Sequence, residues 1–403
     1  MHPRTWLALL TLPLVGTFTV PLLQQAGPAP KAESKAPQDP LAGLSDIQDV
    51  LALVRDNYVD PPDLEKVLGG GIQGALERAH PLNSYLSPED LRLPDPGPAE
   101  TGLRLFKRGI YALVVGVVPG SPAQRAGIQV GDVVRKLEGE SIGPLGSWHL
   151  ERRLRGPVGS ELALHRYAAT SAQVTRVVLK RERLARPALA VRRDGTDLVV
   201  GLPDLSEGRA AELAAVLSAQ GSGARLILDL RSCHGGRFQE GAKVAGLLLG
   251  SGPFATLQEA GQADQVLVRS GERLSGLGSL VVLQAPGTVG PAEALASAVR
   301  KAGLPTVGER TAGLAVECTR VPLRQGGAVE LVTRRWVGAG DEKLDRQGVV
   351  PERGVRGLQN EADPLPKVRQ ALEKPSPDAA KTIEKTASLR LPIPTPAPGR
   401  EVA

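Results

Sequence analysis

The 403-residue sequence predicts an α+β multidomain chain: a helical N-terminal segment, a small β-rich domain with short helices, and an α/β core around a mixed sheet. Three patterns predict it. Ile47, Val50, Leu51 and Val54 recur at i, i+3, i+4 and i+7, one apolar face of a helix. From about Thr101 to Leu184, the β-branched run Val114–Val118 and strands near Leu162–Arg166 and Val174–Arg181 alternate with Gly-flanked turns. Beyond Ala190, a strand at Leu198–Leu202, a helix face of Ala210, Leu213, Ala214 and Leu217 ended by Gly221, and a buried strand at Leu226–Leu230 make a βαβ unit.

Each remaining segment follows from local chemistry. His2 and Arg4 precede an apolar run from Trp6 to Leu23, interrupted by Pro13 and Pro21, with small residues at Ala26-Gly27. Residues 1–26 therefore read as a secretory signal peptide, or as an uncleaved anchor. Residues 27–42 are rich in Pro, Ala and Lys, a disordered linker, and residues 373–403 return to that composition as a disordered tail. Residues 43–98 hold the helical region, with a second helix near Asp63–Ala79 and a helix start at Ser87. Ser147 is expected to cap a helix running to Leu154, and Ser206 to cap the helix before Gly221.

Composition excludes some partners. Net charge is +6, yet no Lys/Arg block is interleaved with aromatics, which are 3% of residues, so nucleic acid is not expected. A membrane is expected only through the N-terminal segment. The five histidines (His2, His80, His149, His165 and His234) are dispersed, so neither a metal nor a cofactor is expected. The chain is expected outside the cytoplasm, in the periplasm or cell envelope.

Two sets of motifs carry a resemblance. Gly120-Ser-Pro-Ala-Gln-Arg-Ala-Gly127 and Gly131-Asp-Val-Val-Arg-Lys-Leu-Glu-Gly-Glu-Ser141 resemble the turn, short helix and hairpin of a PDZ domain, over residues 99–186. That resemblance implies an extended peptide added as a strand, its terminal carboxylate held by backbone N–H groups of Gly102, Leu103 and Arg104. Leu150 and Leu154 would line the pocket. Leu103 and Leu105 would bind the peptide, or serve simply as strand core.

Arg225-Leu-Ile-Leu-Asp-Leu-Arg-Ser-Cys-His-Gly-Gly236 is followed by a strand at Leu280–Leu283, a Gly-flanked turn, a helix and Val307-Gly-Glu-Arg-Thr-Ala-Gly313. With Asn57-Tyr-Val-Asp-Pro61 and Ser84-Tyr-Leu-Ser-Pro-Glu-Asp90, this set resembles the carboxyl-terminal processing peptidases (tail-specific, S41-like serine proteases). The resemblance runs from about residue 45 to 372 and implies a ClpP/crotonase-like core over residues 187–372. Members of that family cut with a Ser–Lys dyad oriented by a Gln. Those positions here read Gly290, Leu314 and Cys318. The oxyanion-type turn Gly235-Gly236 and the helix acid Glu293 are kept.

No Ser lies between Ser279 and Ser297, and no Lys between Lys301 and Lys343. Arg310 stays protonated and is no base. Thr288 lacks a base, and a Cys–His pair using His234 needs a reduced thiolate. Cys233, His234 and Cys318 make at most a partial zinc site. Both cysteines map to loops flanking the family's active centre, so they are expected either as a disulfide or as two free thiols. The first expectation is an inactive, exported pseudoenzyme that binds protein C-termini as a scaffold or regulator, with an active homologous protease as a possible partner. The alternatives are an active endopeptidase with atypical residues and a structural envelope component.

Overall fold

The computed structural model describes residues 43–374 apart from residues 170, 172, 221 and 222. The leader, the linker, the Gly221 helix stop and the tail beyond residue 374 lie outside the described residues. The chain divides at Pro62. The first unit contains α1 (Leu44–Asn57), whose Asp46 and Arg55 sit at the helix ends that suit their charges. Its apolar face is formed, but none of its residues is buried.

The second unit opens with α2 (Leu64–Ala79), capped by the Asp63 carboxylate on the Lys66 N–H at 3.2 Å. β1 (Ser84–Leu86) follows. The helix start expected at Ser87 opens only a single 3-10 turn at Asp90–Arg92, where the Ser87 hydroxyl accepts the Asp90 N–H at 3.1 Å and donates to its carboxylate at 2.9 Å.

The small β domain contains β2 (Ala99–Glu100), β3 (Leu103–Arg108), β4 (Tyr111–Val117), α3 (Pro122–Arg125), β5 (Val133–Leu137) and β6 (Glu140–Ser141). α4 (Ser147–Leu154), β7 (Arg155–Gly156), β8 (Glu161–Tyr167) and β9 (Val174–Lys180) complete it. Its sheet runs β3–β4–β5–β8–β9 with β6 beside β5, and β2 clasps β7. Leu103, Val114, Val134, Leu137, Leu150, Leu154, Leu162 and Leu164 fill its interior, with α4 laid beside the edge strand β3. Ser147 is the first residue of α4 rather than its cap. Its hydroxyl donates to the Pro81 carbonyl at 2.9 Å, and Gly146 takes the cap position.

The core begins with β10 (Ala190–Asp194), β11 (Asp197–Gly201), α5 (Arg209–Ala219), β12 (Arg225–Asp229) and α6 (Phe238–Leu249). β13 (Gly252–Glu259), β14 (Gln265–Arg269), β15 (Leu280–Gln284), α7 (Pro291–Lys301) and β16 (Thr306–Gly308) follow. The chain then forms β17 (Val316–Pro322), β18 (Ala328–Gly338), β19 (Glu342–Lys343), β20 (Arg353–Gly354) and α8 (Leu365–Glu373). Ser206 does not cap α5: Asp204 holds its hydroxyl at 2.5 Å, and Gly208 at φ 88° precedes the helix.

One sheet runs β10–β11–β12–β15–β16–β20, parallel except for β10, the expected mixed sheet. Its central strands β11, β12 and β15 are buried on both faces, which is why they are continuous apolar runs. Leu198, Val200, Leu226, Leu228, Leu280 and Val282 face α5, α6 and α7, while Val199, Ile227, Val281 and Leu283 pack on Leu365 and Val368 of α8. The second sheet, β1–β18–β13–β14 with β17 and β19 on β18, recruits β1 from the helical region. Phe238 of α6 stacks on Trp336 of β18, ring centroids 4.1 Å apart.

Lys107 of β3 is 1% exposed and ties the β domain to α2. Its ammonium bonds to the Glu77 carboxylate and donates to the Gly143 carbonyl at 2.8 Å. A buried ammonium stripped of its partner is costly, whereas replacing it by an apolar side chain of similar length is not. Glu77→Ala is therefore expected to lower unfolding stability by about 3–5 kcal/mol, and Lys107→Met by much less. Urea denaturation of the two variants measures the contrast.

Candidate functional site

The site lies where parallel strands end, the usual location for chemistry in such sheets. β12 runs into Arg231–Gly236, β15 into Ala285–Gly290, and β16 into Glu309–Leu314. Backbone bonds stitch these three turns together: the Val289 N–H donates to the Cys233 carbonyl at 3.0 Å, and the Ala312 N–H to the Thr288 carbonyl at 3.3 Å.

Gly290 precedes α7 with φ 63° and ψ −117°. This is a strained conformation of the kind that presents a nucleophile at the top of a strand-to-helix turn, and here glycine adopts it without a Cβ penalty. A Cβ built at this position meets only the Leu314 carbonyl oxygen, at 3.9 Å. The structure thus brings Gly290 and Leu314 together, as the sequence reading expects, with space between them and no titratable side chain on either residue.

Glu293 is completely buried in the first turn of α7. Its carboxylate accepts from the Gly290 N–H at 2.9 Å, the Gly313 N–H at 2.7 Å, the Leu314 N–H at 2.8 Å and the Thr311 hydroxyl at 2.5 Å. Burial pushes this carboxyl above its ordinary pKa, while the hydrogen bonds oppose the shift. Thr311 in turn accepts the Val349 N–H at 2.8 Å. Nothing in the sequence marks Thr311. Gln359 is a second residue the sequence reading missed. It accepts the Gly287 N–H at 2.6 Å and donates to the Arg231 carbonyl at 2.9 Å, a pairing between distant segments that only the fold reveals.

Gly235 and Gly236 have φ of 86° and 108°, and a Cβ on Gly236 would lie 2.2 Å from the Leu205 backbone, so that residue must be glycine. Thr288 is fully buried, and its hydroxyl donates to the Leu230 carbonyl at 2.7 Å, so it faces no substrate. Of the two alternatives for the cysteines, the structure has the free thiols rather than the disulfide: Cys233 and Cys318 are both free. Cys233 is sealed in the core, where burial pushes its thiol far up, whereas Cys318 sits on the exposed hairpin strand β17, opposite Val332. Partial desolvation, with Glu330 and Glu151 nearby, raises the Cys318 thiol to about 11, so it is no thiolate nucleophile at neutral pH. Among the described residues, no three His, Cys, Asp or Glu side chains gather as a metal site.

His234 joins the two domains. It is 9% exposed, its Nδ1 has no hydrogen-bond partner, and a Cβ on Gly116 of β4 would lie 2.9 Å from its ring. Burial, reinforced by Arg104, pushes the imidazole down to about 4.

In the β domain, the loop before β3 needs glycine. Gly102 has φ 82°, and a Cβ there would lie 2.1 Å from Ser121. Leu103, Leu150 and Leu154 belong to the domain interior and form the floor beneath β3 and α4 rather than an open pocket wall. Leu105 is half-buried at the rim. Arg104 is not a free cation: its guanidinium donates to Glu100 at 2.7 Å and to the Leu103 carbonyl at 3.0 Å.

Two stability tests follow from this geometry. Gly290→Ala is expected to cost about 1–3 kcal/mol through backbone strain alone, and Glu293→Ala about 2–4 kcal/mol, because it orphans several buried donors at once; chemical denaturation measures both. His234 gives a pH signature. With its folded pKa near 4 and an unfolded value near 6.5, the unfolded chain takes up the proton first. Its contribution is complete above pH 6.5 and is lost as pH falls toward 4, by about 3 kcal/mol. His234→Gln should flatten that part of the stability curve, measured as the urea midpoint from pH 7 to 4.5.

Comparison with known proteins agrees with this architecture. Residues 198–355 match peptidase family S41, and residues 113–164 match a PDZ domain. The carboxy-terminal processing protease CtpA of Bacillus subtilis (strain 168) is 25% identical over 310 residues, covering 74% of this chain and 66% of that protein. A CtpA-like serine protease of Staphylococcus aureus (strain MSSA476) is 24% identical over 321 residues, covering 77% of this chain and 64% of that protein. The chain thus spans just under two-thirds of the length of these curated relatives. The solved photosystem II D1 C-terminal processing protease shares the fold, with a TM-score of 0.64 at 22% identity, over 80% of this chain and 95% of that one. By its S41 core, its PDZ domain and these relatives, the chain belongs to the carboxyl-terminal processing peptidase family.

Proposed function

We propose that this protein is a catalytically inactive member of its family that binds protein C-termini and acts as a scaffold or regulator, with an active homologous protease among its partners. The observation that carries this reading is the pair Gly290 and Leu314: the turn that would present a nucleophile keeps its shape, and neither residue supplies an attacking or a basic group. The hydroxyl and thiols nearby do not replace them. Thr288 and Cys233 are buried, and Cys318 is a protonated thiol on the hairpin.

Binding rests on the free edge of β3. Its other edge pairs with β4, and α4 lies beside it over the floor of Leu103, Leu150 and Leu154. An extended peptide added there gains main-chain hydrogen bonds, and its carboxylate reaches the loop at Gly102. We also infer an extracytoplasmic location, from the charged and apolar pattern of residues 1–26.

The test pairs turnover with binding. Unstructured peptides ending in apolar residues are incubated with the purified chain under reducing and non-reducing conditions, and their binding is followed by fluorescence anisotropy. No cleavage is expected in either condition. Saturable binding is expected to weaken about tenfold or more when the peptide C-terminus is amidated. Sustained cleavage would overturn the inactive reading, and binding indifferent to amidation would overturn C-terminal recognition.

A further inference from the structure

Sheet edges expose unpaired N–H and C=O groups, and proteins ordinarily guard them with charge, proline or a covering element. Several edges in this chain are guarded. β17 carries Arg320 and ends in Pro322, β10 carries exposed Arg192 and Arg193, and β9 carries exposed Arg176 and Lys180. β14 differs. It ends its sheet with no strand on its outer side, and Val266 and Val268 are each 59% exposed. Its one charged residue, Arg269, turns back to donate to the Gly250 carbonyl at 2.8 Å. The opposite face is anchored, with Leu267 packed against the main core. The edge is therefore ordered, apolar and undefended.

The strand is also complementary to itself. Gln265-Val-Leu-Val-Arg269 has the same polar–apolar pattern read from either end. In an antiparallel pair centred on Leu267, Val266 of each copy lies opposite Val268 of the other. Arg269 then meets the neutral Gln265 rather than a second Arg269, so no like charges oppose. A slip of two residues keeps one valine pair, Val266 with Val266 or Val268 with Val268, but sets the other valine against Asp264 or Ser270, and Leu267 against Gln265 or Arg269. A slip of one turns the valine face against the anchored face. One register alone matches both valines to valines on the exposed face, the cross-strand pairing that stabilises such ladders.

We propose that β14 pairs antiparallel with β14 of a second copy of this chain, joining two core sheets through a twofold axis at Leu267. The paired valines leave water, and the edge N–H and C=O groups find partners. The symmetry closes, so the pairing yields a dimer rather than a fibre.

The test uses cross-linking in a Cys318→Ser background, which leaves only the buried Cys233 as a native thiol. Val266→Cys and Val268→Cys chains are prepared separately. They are mildly oxidised alone and as an equal mixture. Directly opposed residues lie about 5 Å apart at Cα, within disulfide reach, whereas like positions lie diagonally at about 7–8 Å. The mixture is therefore expected to form covalent dimer about tenfold faster than either chain alone. In sedimentation, the unsubstituted chain is expected to show a concentration-dependent dimer. Val266→Lys/Val268→Lys is expected to stay monomeric with an unchanged far-ultraviolet circular dichroism spectrum. Equal cross-linking in the three samples, a dimer that survives the lysine substitutions, or a monomer at every concentration that captures extended peptides along β14 would each overturn the proposal.

Discussion

The arrangement of the site depends on one buried carboxylate. Glu293 has no solvent, so its oxygens must be satisfied by protein donors. Those donors come from both sides of the site: Gly290 at the start of its own helix, and Thr311, Gly313 and Leu314 from the turn after β16. Each turn is short and irregular, and further bonds to Leu230, Cys233, Val349 and Gln359 support them. The carboxylate acts as a shared acceptor that fixes both. Through Thr311 the same network reaches Val349, and through Val289 and Cys233 it reaches the turn after β12. Three strand ends are thereby held in register by polar groups, while the strands below are held by apolar packing.

Polar contacts join the β domain to this frame. Lys107 holds it to α2, Ser84 of β1 accepts the Trp148 N–H at 3.0 Å, and Asn360 donates to the Val130 carbonyl at 3.0 Å. His234 fills the gap opposite Gly116 with its ring neutral and one nitrogen unsatisfied. An unsatisfied buried nitrogen weakens the seam at that point. His234 immediately precedes the Gly235-Gly236 turn, so the β domain meets the core beside the site. On the proposed reading, a peptide added to β3 would lie in the domain that touches this turn.

Much of the architecture is legible in the sequence because apolar periodicity and glycine turns report burial directly. The βαβ unit at Leu198–Leu230 is an example: alternate residues of its strands bury on opposite faces, and the helix face of Ala210, Leu213 and Leu217 packs inward. The pairing of Gly290 with Leu314 was also legible, through the family resemblance. What was not legible depended on competition for polar partners. Ser147 and Ser206 look like helix caps, but Pro81 and Asp204 claim their hydroxyls. Likewise, only the fold shows that Glu100 claims the Arg104 guanidinium. The cysteines looked pairable because both map near the site, yet Cys233 faces the core and Cys318 lies on a solvent-facing hairpin. A linear pattern gives the chemistry of a side chain, but not which of several acceptors it will find.

The same network explains how the frame stands whatever side chains occupy positions 290 and 314. Glu293 bonds to backbone N–H groups at positions 290, 313 and 314, and a backbone N–H is present whatever non-proline side chain stands there. Thr311 and Gln359 likewise act on main-chain groups or on Glu293. None of these bonds calls for a Ser at 290 or a Lys at 314. Glycine at 290 even lightens the structure, because φ 63° strains a residue with a Cβ and not one without. The shape of the turn is therefore set by the fold and is separable from the chemistry the turn would carry. It follows that the Gly235-Gly236 turn and Glu293, though both intact, are weak witnesses for peptidase activity. The residues at 290 and 314 are the informative ones, and the proposed loss of activity rests on them.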